Sequence, residues 1–406
     1  KRLHSGDVLF NNTNSPELIG KTTVITATDD WGFSNHMTRV AFPDAVSPKF
    51  AAYQLHYLWS RGYFLHNCVK HVNQASISST TFSRTVPFVK PPRPQQDSIV
   101  AEIEKQFSRL DEAVANIKRI KANLKRYKAA VLKAAVEGKL TEDWRKQHPN
   151  VEPASKLLER ILAERRAKWN GRGKYKEPSV PDTASLPSLP PCWVWVSPAQ
   201  LSSADTHSLA IGPFGSNLKV SDYTDSGIPL IFVRTIRSLD FGDERRVYVS
   251  TRKAAELKAH RVSGGDVLVT KMGAPPGDAC LYPEQAPDAI ITADCIKLRL
   301  SRMLPEKRFI VHAINAEVVK SQVLAITKGV AQMKVSLARF GGIGIPLPTL
   351  AEQQQIVGEV ERRLSVIEEL EATVEANLTR ADRLRQSVLS RAFSGQLVTA
   401  KDSCVS

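Results

Sequence analysis

Side chains able to do chemistry are thinly scattered along this sequence, and none of the catalytic spacings closes. His66-x-Cys68-x-x-His71 offers metal-binding residue types, yet no second cluster supplies the remaining ligands. A strand over residues 63–69, carrying these side chains on its two faces, accounts for them more simply. Pro287-Asp288 followed by Asp294-Cys295-Ile296-Lys297 has the components of a nuclease pattern, but the step from Asp294 to Lys297 is wrong for it. Gly341-Gly342-Ile343-Gly344 runs into Ile-Pro-Leu-Pro rather than a helix, so it reads as a turn and not a phosphate cradle. The serine-rich run 76–83 has no nearby His-Asp arrangement to activate a nucleophile. Neither a G-x-x-x-x-G-K-[ST] loop nor the Asn-Pro-Pro-aromatic tetrad of amino-methyltransferases occurs. The expectation is a chain with no catalytic residue, no metal site and no cofactor of its own.

What remains is binding chemistry. Lys and Arg hold duplex DNA through its phosphates, and Arg, Lys, Asn, Gln and Ser on loops read its base edges. The early candidates are Asn11, Asn12, Asn14, Lys21, Asn73, Gln74 and Ser76. The later ones are Ser216, Asn217, Lys219, Arg234, Arg237, Lys271, Gln332 and Lys334. A solvated polar loop explains any one alone. As groups in two related basic regions they point to nucleic acid.

The charge agrees. The formal net charge of +15 divides into +5 over residues 1–96, +7 over 97–186, +5 over 187–345 and −2 over 346–406. A basic surface of that extent, not confined to a tail, suits a polyanion such as double-stranded DNA. The five cysteines (Cys68, Cys192, Cys280, Cys295, Cys404) are odd in number and scattered, without C-x-x-C. That argues for a reducing compartment and against a disulfide framework or zinc ribbon. No apolar run approaches the roughly 18 residues of a membrane span, and no signal-peptide core opens the sequence. The chain reads as cytoplasmic, with no membrane partner.

The elements that must position these residues come from a repeat. Residues 99–140 recur as 356–397, offset by 257 without insertion: Ile99-Val100 and Ile356-Val357, Val131-Leu132 and Val388-Leu389, Gly138-x-Leu140 and Gly395-x-Leu397. In the first copy Ile103, Leu110, Ile117, Leu124 and Val131 recur every seven residues; in the second, Val360, Ile367, Val374, Ala381 and Val388 do. Such a seam must be buried against another helix, and a helix of some 40 residues is about 60 Å long. Two in one chain most economically bury each other, antiparallel. Leu110 then lies near Ala381 and Ile117 near Val374, with Lys121 and Glu371 as a register-setting contact. The globular regions repeat as well. Gly265-Asp266-Val267-Leu268 matches Gly6-Asp7-Val8-Leu9, and Gln332, Ser336 and Phe340 match Gln74, Ser78 and Phe82. Strands are expected over 8–10, 21–26, 37–42, 86–89, 193–196 and 228–233, with helices over 48–60 and 153–169. Five prolines between 178 and 191 mark a linker.

The order of blocks resembles the specificity subunit of a Type I restriction-modification system. The resemblance rests on Ile345-Pro-Leu-Pro-x-x-x-Glu352-Gln353-x-x-Ile356 leading into a long helix, and on Ala-x-x-Gly-x-Leu at 135–140 and 392–397. It also rests on Thr141-Glu-Asp-Trp144-Arg145, Leu189-Pro-Pro-Cys-Trp193-Val-Trp195 and the run from Phe10 to Lys21. It implies an α+β fold: two mixed α/β target-recognition domains separated by a pair of long antiparallel coiled-coil helices. The expected boundaries are a first recognition domain at 1–96, lacking its N-terminal part, and a first long helix at 97–140. A short amphipathic helix and Pro-rich linker at 141–191 precede a second recognition domain at 192–348. The second long helix spans 349–397 and a tail 398–406. The resemblance also implies a non-catalytic subunit that recognises a bipartite DNA target. Its partners would be two methyltransferase (modification) subunits, which carry S-adenosylmethionine, and a restriction-translocation subunit, which uses ATP. A methyltransferase or nuclease fragment and a coiled-coil scaffold are the competing readings. Methyl transfer by the isolated chain would favour the first, and DNA binding insensitive to salt the second.

Overall fold

The computed structural model describes residues 2–26, 31–169, 173–242, 246–329 and 333–398. It divides into two compact units, Lys1–Asn123 with Leu370–Ser406 and Leu124–Glu369. Two helices of 44 residues, Arg93–Val136 and Leu350–Phe393, each contribute to both units, and the 257-residue offset holds at both of their ends. Gly138 and Gly395 stand just past those ends with φ of +68° and +75°, the left-handed conformation that terminates a helix and favours glycine.

The seven-residue seam is real in both helices. Along the second, Val360, Leu364, Ile367, Glu371, Val374, Leu378, Ala381, Arg385, Val388 and Ala392 are all buried or half-buried. Along the first, the corresponding positions from Ile103 to Ala135 are buried or half-buried except Lys121, which is exposed. Within the first unit the direction follows from two ion pairs, Asp111 with Arg385 and Lys121 with Glu375. As one number rises by ten the other falls by ten, so the helices run antiparallel. Ile99, Val100 and Ile103 share one apolar cluster with Val388, Leu389 and Ala392. The contact expected between Lys121 and Glu371 is replaced by Lys121 with Glu375, one turn away. Lys121 leaves the seam for solvent and takes an exposed flanking carboxylate, while Glu371 stays half-buried in the seam row.

In the first unit Val8–Asn11 is the central strand between Thr22–Val24 and Met37–Val40, both antiparallel to it. Helix Pro48–Ser60 begins as expected, with Ser47 as its N-cap and proline in its first turn. One face (Ala52, Leu55) packs on Val8, Phe10, Ile19 and Phe64. Phe50, Tyr53 and Tyr57, three and four residues apart, belong to the apolar cluster of the long helices. Lys49 adds an ion pair of 2.7 Å to Glu104.

The second unit repeats this plan. Strand Val267–Thr270 lies between Ala279–Leu281 and Cys295–Leu298, again antiparallel, and Leu209–Ile211 extends the sheet beyond Cys295–Leu298. A second sheet of five strands centres on Ile228–Ile231, which pairs parallel with Ala289–Ile291. Helix Lys307–Asn315 takes the place of Pro48–Ser60, with Phe309 fully buried and Arg308 paired to Glu361 of the second long helix. The repeat therefore preserves the latch between globular part and long helix as well as the sheet. The Gly-Asp turn is preserved too: Asp7 accepts from the His4 amide (2.7 Å) and Asp266 from the Ser263 amide (3.0 Å).

Two expected strands are corrected. Tyr63–His66 is a turn of helix rather than a strand. Residues 86–89 form no strand, whereas the matching Ile345–Leu347 pairs with Val194–Val196; among the described residues no such partner strand lies beside 86–89. The expected helix over 153–169 is Ala154–Ala167, with Leu157 and Ile161 buried.

Candidate nucleic-acid interface

In each unit the chain leaves the central strand and meets a hairpin that leads to a capped helix. In the first unit Thr13–Asn14 pairs with Ala75–Ser76, which pairs back with Val69–Lys70. Ser78 then caps helix Ser79–Thr85 by accepting from the Thr81 amide (3.0 Å). In the second, Met272 bridges Lys334, Lys334 bridges Lys328, and Ser336 caps Leu337–Phe340 by accepting from the Arg339 amide (3.3 Å). At the 258-residue offset of the globular parts Lys70 and Ser76 correspond to Lys328 and Lys334, with the pairing shifted by one residue between the copies. The same junction, built twice, is the best candidate for a repeated reading surface.

The early candidates divide in two. The asparagines hold the loop: Asn11 Nδ2 donates to the Leu18 carbonyl (3.2 Å) and Asn12 Nδ2 to Thr38 Oγ1 (3.0 Å), and Asn14 Oδ1 accepts from the Ser15 amide (2.8 Å). Asn11 Oδ1 and Asn12 Oδ1 are buried without a partner. All three residues are half-buried and make these contacts within the unit. By contrast Asn73 and Gln74 are exposed at the hairpin tip beside Val72, which is 99% exposed. Lys21 is exposed, with its ammonium 5.6 Å from the Trp59 ring. Ser76 Oγ lies 3.2 Å from His71 Nε2.

In the second unit several late candidates converge. Lys271 Nζ donates to the Ala293 carbonyl (3.0 Å), and the Val335 amide donates to the Lys271 carbonyl (3.0 Å). The loop holding Ser216, Asn217 and Lys219, all exposed, reaches the same place through Phe214, whose ring lies 5.9 Å from Lys271 Nζ. Lys334 joins through its bridge to Met272. Arg234 is exposed with its guanidinium 4.2 Å from the Phe232 ring, and Arg237 is exposed in the turn closed on Asp240. Gln332 lies outside the described residues. Phe214 went unmarked in the sequence, because a lone aromatic in a polar loop has no periodicity to betray it.

The residues with catalytic types are otherwise engaged. Lys297 is buried, with Nζ donating to the Arg261 carbonyl (2.7 Å), and burial, reinforced by Arg299, pushes its pKa down to about 8. Asp288 pairs with Arg261 at 3.7 Å. Cys68 Sγ donates to the Leu65 carbonyl (3.4 Å). Among the described residues no three His, Cys, Asp or Glu side chains gather to hold a metal ion. Burial pushes the Cys280 and Cys295 thiols up to about 12, which leaves them poor nucleophiles.

Three of the sequence blocks meet at Glu352. This carboxylate has no solvent exposure. It accepts from Thr141 Oγ1 (2.6 Å) and Trp193 Nε1 (2.7 Å) and pairs with Arg145. A capping box at 349–352 is therefore half-made: the Glu352 amide donates to Thr349 Oγ1 (3.3 Å), but its carboxylate is spent on the junction.

Two units with a repeated α+β plan, each including part of both long helices, define the fold class. Residues 246–380 match the model of the family described as Type I restriction modification DNA specificity domain. The chain as a whole is similar to Type I restriction enzyme specificity subunits. It is 25% identical over 337 residues to the EcoBI subunit of Escherichia coli, covering 81% of this chain and 61% of that one. It is 25% identical over 372 residues to the EcoDI subunit of the same organism, covering 86% and 74%. The chain thus spans somewhat under two thirds of the first relative's length. In fold it is similar to a chain from a structure concerned with complex assembly and conformational transition of the type I R-M system. That likeness has a TM-score of 0.62 at 18% identity and covers 98% of this chain and 83% of the other. Among the described residues no helix is long and apolar enough to cross a membrane.

Proposed function

We propose that this chain is a non-catalytic, cytoplasmic DNA sequence-specificity subunit that recognises a bipartite duplex target. The observation that carries the reading is the repeated junction of central strand, hairpin and capped helix. One copy lies in the stretch similar to a DNA specificity domain. Each unit would read one part of the target, with exposed Lys and Arg on phosphates and Asn73, Gln74, Ser216 and Asn217 at base edges. The long helices would set the interval between the parts. Their outward faces would carry two methyltransferase (modification) subunits and a restriction-translocation subunit, where the S-adenosylmethionine and ATP chemistry would reside. Salt titration tests the DNA arm. Neutralising several phosphates makes log affinity fall linearly with log salt, with a slope of about −0.9 per contact. A slope near zero would remove phosphate neutralisation from the account and favour a scaffold without DNA.

A further inference from the structure

We propose that Phe214 reads DNA directly, by packing its ring against the 5-methyl group of a thymine in the major groove. The proposal rests on the DNA-reading function above and adds to it an apolar specificity contact. Phe214 is 66% exposed, more than any other aromatic ring among the described residues. A lone exposed apolar residue is ordinary, but this one is held out by a rigid mount. Gly212 and Pro213 are buried, and a Cβ at Gly212 would stand 2.1 Å from the Thr292 carbonyl oxygen. The loop can sit this close only because that residue is glycine. On the other side the Asn217 amide donates to the Phe214 carbonyl (2.8 Å), closing a turn.

The surroundings select the partner. Lys271 Nζ lies over the ring at 5.9 Å, and exposed Ser216, Asn217 and Lys219 follow it in the same loop. These are groups that meet phosphates and base edges, and the apolar feature on base edges in the major groove is the thymine methyl. An intercalating wedge would need both ring faces free to stack, and the Lys271 ammonium occupies one. The edge and the remaining face suit a methyl group.

The test uses the full chain assembled with its modification subunits, on a duplex carrying the site found methylated in the cell. Each thymine is replaced in turn by 2′-deoxyuridine, which lacks only that methyl. At one position the wild-type complex should bind about fourfold more weakly, the worth of roughly one buried methyl. Phe214→Ala should be indifferent to that replacement, while Phe214→Leu retains the discrimination. Phe214→Ala should keep the wild-type thermal midpoint, because the side chain is exposed. Equal responses of wild type and F214A at every thymine would overturn the assignment while leaving specific, salt-dependent binding intact. Absence of specific binding by the wild-type complex would overturn the assignment together with the reading beneath it.

Discussion

Glu352 has no access to water and three donors around it, so its worth can be measured by removing it. Glu352→Ala leaves Arg145 facing a void and the Trp193 indole N–H unpaired. Breaking a buried charge pair from one side costs about 3–5 kcal/mol, so the urea midpoint should fall strongly. Glu352→Gln keeps one acceptor and should fall between Ala and wild type. A loss below about 1 kcal/mol for the Ala variant would show that the contacts made by Glu352 do not hold the junction. His312 makes a second residue-scale case. It is buried, its Nδ1 has no partner, and burial, aided by Arg308, pushes its pKa down to about 4. The unfolded chain, with the ordinary pKa near 6.5, binds a proton that the folded chain refuses. The stabilisation is therefore full above pH 6.5 and is lost as pH falls towards 4, by about 2 kcal/mol at pH 5. His312→Asn should flatten the difference between stabilities measured at pH 7 and pH 5; an unchanged pH profile would exclude His312 as its source.

At the scale of elements, the seam and its flanking charges have different weights. Ile103 is fully buried in the cluster that joins the long helices in the first unit, so Ile103→Ala should cost about 2–5 kcal/mol. Lys121 and Glu375 are each more than half exposed, and Lys121→Ala should cost less than about 1 kcal/mol. Comparable losses from the two, by denaturant unfolding, would mean that ion pairs and not apolar burial hold the pair. What was legible in the sequence follows the same division. A sustained seven-residue repeat and a glycine past the helix end are local signals, and both long helices were legible from them; helix Pro48–Ser60 was legible from the spacing of Phe50, Tyr53, Leu55 and Leu58. The stretch 86–89 looked like a strand through its likeness to 345–348, but a strand needs a neighbour, and pairing partners are set by distant sequence. The helical turn Tyr63–His66 follows Gly62, in left-handed conformation, directly after helix Pro48–Ser60; alternating residue types in 63–69 gave no hint of it. Of the candidate site, hydrogen-bonding residues were legible by type but not by direction. Asn11, Asn12 and Asn14 are half-buried and hold their loop, and Phe214 turns outward against its own hydrophobicity.

For the whole molecule the repeat carries the functional argument. If each copy of the junction reads DNA as proposed, one chain holding two copies calls for a target in two parts. Helices of 44 residues are about 66 Å long, more than the roughly 34 Å turn of B-DNA, and on the proposed reading the two parts of the target are separated by bases that are not read. The most direct test is the pattern of DNA methylation in cells producing this chain with its modification subunit. It should be compared with cells whose chain carries seven extra residues in each long helix, which keeps the seam and adds about 10 Å, or roughly three base pairs. The expected result is a two-part methylated sequence with a fixed unread gap, and in the lengthened chain the same two parts with a gap about three base pairs longer. A single continuous methylated sequence, or half-sites that change when only the helices are lengthened, would contradict it.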